Sequence, residues 1–154
     1  MSLYVPQRHD IILQNPDDQF VAVVEVRNMQ GLSRELATVL RGQGMTYTLL
    51  PQTPYFLLLS QDVGFLWKES WREGPETPPT YEFPMGNVIS RYVEGYSGER
   101  LFNREVESLV IKWLTDLANG KQEVVEEPEK TLAIAGFYNA IRGASVSIGV
   151  GAEE

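Results

Sequence analysis

Apolar positions in the N-terminal half of the chain fall into short strand-like runs broken by turn residues. His9 to Gln14 reads as a strand, Asn15-Pro16-Asp17-Asp18-Gln19 as a turn, and the Val-rich stretch Phe20 to Asn28 as a second strand, together a β-hairpin. Leu32, Leu36, Val39 and Leu40 recur at helical spacing and Gly42 and Gly44 offer stops, so a helix of about ten residues is expected next. Tyr55 to Ser60 is a continuous apolar run, the mark of a strand buried on both faces. After a turn at Gln61-Asp62-Val63-Gly64, Phe65 to Lys68 is expected to return beside it. This order of elements points to an α/β or α+β sheet domain.

The C-terminal half is patterned differently. Four prolines in the eleven residues from Gly74 to Pro84 argue against regular structure there. Asn103 is placed to cap a helix whose apolar stripe is Val106, Leu109, Val110, Trp113, Leu114 and Leu117, with Gly120 just past its end. Glu123 to Lys130 reads as a charged linker, Leu132 to Ile141 as a short helix ended by Gly143, and Ser145 to Val150 as a last strand. The expected organisation is one domain over residues 1–154: a hairpin and α/β core at 9–72, a Pro-rich connector at 73–102, and a helical extension at 103–150 packing on that core.

Composition narrows the chemistry. With 154 residues, 43% of them apolar and 22% charged, the chain is long enough for one packed core and cramped for two. The absence of cysteine excludes disulfides, zinc-thiolate sites, iron–sulfur clusters and thiol nucleophiles. No stretch approaches the roughly 18 consecutive apolar residues of a membrane span, and the N-terminus lacks a secretory pattern, so a cytoplasmic, non-membrane protein is expected. A net charge of −8 sets the whole molecule against a polyanion, although Glu123 to Glu129 and the C-terminus carry much of the acid.

The residues that point to chemistry lie in the hairpin. Side chains alternate along a strand, so Val21, Val23, Glu25 and Arg27 share one face and Ala22, Val24 and Val26 the other. A turn centred between Asp17 and Asp18 pairs Ile12 with Val23 and Asp10 with Glu25. Opposed residues in an antiparallel pair have Cβ atoms about 4.5–5.5 Å apart. Two carboxylates at that distance repel and ask for a cation, for which magnesium is suited. The other reading of the same residues is a plain ion pair, with Arg27 neutralising Glu25 at i, i+2 and Asp10 solvated.

Asp10, a hairpin, Glu25-Val26-Arg27, a helix from about Leu32 and the strand Tyr55 to Ser60 resemble the core of the PD-(D/E)XK nuclease superfamily. The resemblance implies a restriction endonuclease-like α/β fold, a mixed sheet flanked by helices, here with a C-terminal helical extension. It further implies Mg2+-dependent phosphodiester hydrolysis on nucleic acid, with Asp10 and Glu25 as metal ligands and Arg27 in the position of the family's lysine. His9 precedes Asp10 where the family has proline, and Pro16-Asp17 falls at the hairpin tip, too far away to serve. Arg27 keeps its proton and can hold a phosphate or carboxylate but does not readily exchange a proton with water, so lowered or lost activity is expected. The family core also places a helix and a strand before the first acidic residue, and only nine residues precede Asp10. The alternative function is a non-catalytic interaction module, with a homodimer as one form.

Other features read as ordinary structure. Arg34 and Arg41 are expected on the solvated side of the first helix, His9 at the surface, Trp67 and Trp113 in the core, and Trp71 beside the Pro-rich segment as a candidate partner contact. Gly42-Gln-Gly44 and Gly149-Val-Gly151 do not extend into a dinucleotide fingerprint, and Gly95-Tyr96-Ser97-Gly98 lacks the spacing of a nucleophile elbow.

Overall fold

A computed structural model describes residues 10–47, 53–70 and 74–149; for Asp10, Thr46, Tyr47 and Gly149 it describes the backbone alone. His9 and Trp71 lie outside the described residues. Strands β1 (Asp10–Gln14), β2 (Phe20–Val26), β3 (Tyr55–Leu59), β4 (Val63–Lys68), β5 (Tyr81–Pro84) and β6 (Ser145–Gly149) form one mixed sheet in the order β5-β4-β3-β2-β1-β6. Among the described residues only β2 and β3 run parallel, and the helix between them, α1 (Arg34–Tyr47), makes the crossover that a parallel pair requires. The chain is therefore α/β, with helices α2 (Gly86–Tyr92), α3 (Asn103–Ala118), α4 (Glu129–Ile134) and α5 (Phe137–Ala140) completing it.

The alternation along β2 separates two cores. Val23 packs with Leu32, Ala37, Phe56, Leu58, Phe65 and Trp67 on the α1 side. Ala22, Val24 and Val26 join Leu57, Leu59 and Leu66 in the larger core, where α3 contributes Val106, Leu109, Val110, Trp113, Leu114 and Leu117. The stripe expected for that helix is buried over its whole length. Burying one such Leu or Val side chain is worth roughly 1.5–3 kcal/mol, so α3 contributes strongly to this core, which α2, α4 and α5 complete with Val88, Ile89, Leu132 and Phe137. Strands β2 and β3 are buried on both faces because each lies between helix layers.

Several elements differ from the sequence expectation. Helix α1 runs to Tyr47, through both glycines. A Cβ on Gly42 would lie 2.5 Å from the Pro75 carbonyl oxygen, so glycine there admits a neighbouring loop and does not end the helix. Arg41 is not solvated: it is buried, its guanidinium 5.2 Å from the Trp67 ring centroid and donating to Ser70 and the Gly74 carbonyl. The proline-rich stretch ends in β5, which pairs with Val63 to Leu66 at the sheet edge, where proline is tolerated. The segment expected to be a connector also holds α2 and buries Phe83, Met85, Val88 and Ile89.

Asn103 does not cap α3. Phe102 is the capping position, its N–H donating to Glu105 Oε1, while the Asn103 side chain accepts from the Asn28 N–H. The single helix expected from Leu132 to Ile141 is two, broken at Gly136, whose φ of 84° lies in the left-handed region. Glu129, expected in a charged linker, is fully buried and accepts from Trp113 Nε1 and Arg91 Nη2, each at 2.8 Å.

Candidate functional site

The hairpin register matches the expected pairing of Ile12 with Val23. Ile11 pairs with Val24 and Ile12 with Val23, and the ladder shifts at a bulge only near the turn, between Leu13 and Gln14. Asn15 holds that turn, its side-chain oxygen accepting from the Asp17 and Gln19 N–H groups. Asp10 is the first residue of β1, one place beyond Ile11, and on its other side it pairs with Gly149. The expected pairing of Asp10 with Glu25 would be the next step of the β1–β2 register, whose described pairs begin at Ile11 and Val24. The Asp10 side chain is outside the described residues.

Glu25 follows Val23 on the α1 side of β2 and is 8% exposed. Arg27, two residues on and on the same face, places Nε 2.5 Å from Glu25 Oε2. This is the only ion-pair or hydrogen-bond partner of the Glu25 side chain among the described residues. The Arg27 N–H donates to the Leu59 carbonyl at 2.9 Å, which fixes the backbone that carries the guanidinium. Arg27 itself keeps 40% of its side chain exposed, so the pair joins a buried carboxylate to a cation on the surface.

A second polar cluster, absent from the sequence expectation, lies at the carboxyl ends of the parallel strands β2 and β3. Gln61 is fully buried there, and all four of its side-chain hydrogen-bonding positions are used. Its Oε1 accepts from Asn28 Nδ2 and the Leu101 N–H, and its Nε2 donates to the Tyr96 hydroxyl and the Glu99 carbonyl. Asn28 Oδ1 accepts from the Gln61 N–H and from Arg100, which also bonds Asp62 Oδ2 through both terminal nitrogens at 3.0 Å. Open α/β sheets commonly bind ligands at the carboxyl ends of their strands. Here that position is filled by the chain's own loop before α3, saturated with internal bonds. No spacing rule could have found Gln61, because its partners come from separate turns.

Magnesium takes one or two free carboxylates plus water and phosphate oxygens. The described side chains at this end of the hairpin offer one carboxylate, and a guanidinium already holds it. Among the described residues no three His, Cys, Asp or Glu side chains come together as a metal site, a set that does not include the Asp10 side chain. Among the described residues no helix is long and apolar enough to cross a membrane. No family model, curated protein or solved structure matches this chain.

Proposed function

We propose that this chain has a PD-(D/E)XK-like core whose metal position is closed by its own arginine, and that it works as a non-catalytic interaction module. The observation that carries this reading is the 2.5 Å contact from Arg27 Nε to the buried Glu25 carboxylate. A cation that keeps its proton at any working pH neutralises the carboxylate and cannot activate water. The order β1-β2-α1-β3, with β2 parallel to β3, supports the likeness of the core. So does β6, which lies antiparallel on the free side of β1 and follows the helices α3 to α5. A helix-then-strand unit thus stands beside the first acidic residue, contributed by the other end of the chain.

Hydrolysis of phosphodiesters with Mg2+ is the second reading, supported by the β1–β2 register, whose next step beyond Ile11–Val24 would set Asp10 opposite Glu25. A cleavage assay separates the two. Linear and supercoiled DNA and single-stranded RNA are incubated with the wild type and with Glu25→Gln in millimolar Mg2+. The interaction-module reading expects no cleavage by the wild type above that of Glu25→Gln. Mg2+-dependent cleavage that disappears in Glu25→Gln would overturn it.

A further inference from the structure

The two edges of the sheet are not equivalent. β5 is four residues long, carries the exposed Glu82 and ends in Pro84, features that keep a second strand away. β6 has the sequence Ser145-Val-Ser-Ile-Gly149, with no charge, no proline and no bulge in its pairing with β1. Among the described residues, β1 is its only strand partner. Its Ile148 is 45% exposed, while Val146 packs at the margin of the larger core. An edge of this kind offers unpaired backbone groups to another strand.

We propose that a second copy of this chain pairs with it, β6 antiparallel to β6 about a two-fold axis through Ser147, joining the two sheets into one. This supplies the partner for the interaction-module reading and in that respect rests on it. A net charge of −8 on each copy opposes association over most of the surface, and β6 is a strip along which two copies can pair without setting carboxylates opposite each other. The strand also complements itself: with Ser147 opposite the partner's Ser147, Val146 meets the partner's Ile148 and Ile148 meets the partner's Val146. All four side chains fall on the face that α3 covers, and cross-strand pairs of β-branched residues of this type stabilise sheets. An isologous contact of this kind closes and does not propagate into a fibre.

The chain has no cysteine, so engineered thiols report the contact without background. Opposed residues have Cβ atoms about 4.5–5.5 Å apart. Ser147→Cys is therefore expected to form a covalent dimer under copper–phenanthroline with air as oxidant, and Ser145→Cys, placed opposite the partner's Gly149, is not. Sedimentation equilibrium of the wild type is expected to give twice the 17.4 kDa of one chain. Ser147→Lys, which sets two ammonium groups on the axis, is expected to give the monomer mass with an unchanged circular dichroism spectrum. A wild type that is monomeric at high concentration, its edge then free for some other extended segment, overturns the proposal. So does a dimer that survives Ser147→Lys, or equal cross-linking at both positions. Those results leave the Glu25–Arg27 reading standing, since neither residue lies on β6, whereas Mg2+-dependent cleavage overturns that reading without touching the edge.

Discussion

At the scale of single residues, the molecule is decided by how it satisfies buried polar groups. Glu25 is tolerated inside because Arg27 bonds it, and Arg27→Ala leaves an unpaired buried carboxylate. Discounted for the exposure of Arg27, the loss is about 1–2 kcal/mol, measurable by urea denaturation; a change within error would mean that the pair does not hold the site. Gln61→Leu strips partners from Asn28, Leu101, Tyr96 and Glu99 at once. It is expected to cost about 3 kcal/mol, and amide exchange in the loop 93–102 should rise with it. The Glu25–Arg27 pair is legible in the sequence because strand alternation is a local rule with a period of two. The Gln61 cluster is not, because Asn28 and Gln61 read separately as a strand end and a turn residue. Only the folded sheet sets them side by side.

At the scale of elements, periodic segments are legible in the sequence and their punctuation is not. The hairpin register, the doubly buried β3 and the apolar stripe of α3 follow from local pattern, and they hold. Glycine is a poor helix former, which marks Gly42 and Gly44 as stops, yet the helix continues through both. Their reasons differ, and the difference can be measured. Gly44→Ala meets nothing within 4 Å and is expected to stabilise by roughly 0.5–1 kcal/mol, the helix-interior preference for alanine. Gly42→Ala drives a methyl into the Pro75 carbonyl and is expected to destabilise. Thermal melts of the two variants moving in the same direction would contradict this account of α1. The prolines hide β5 and α2 from a sequence reading, since what orders that segment is burial of Phe83, Met85, Val88 and Ile89, a tertiary effect.

At the scale of the whole molecule, titration and metal response report on the fold. The Tyr92 hydroxyl is pushed above its ordinary value first by burial, then by the hydrogen bond it donates to Asp116 and by that carboxylate's charge, with Arg91 and Gln122 opposing. Tyr55 is raised too, by burial and then by Glu69 and Tyr81. Both groups stay protonated in the fold at a pH where the unfolded chain has released the proton. Their contribution is therefore intact below the unfolded value of about 10 and is lost as pH rises above it. Urea midpoints taken between neutral and strongly alkaline pH should fall above that value, and less steeply in Tyr92→Phe. On the proposed reading a guanidinium occupies the position a nuclease gives to its metal, and the melting temperature in Mg2+ tests this most directly. Titration with millimolar MgCl2 against matched ionic strength is expected to leave the wild-type melting temperature unchanged. A rise that saturates with Mg2+ and vanishes in both Asp10→Asn and Glu25→Gln would contradict it.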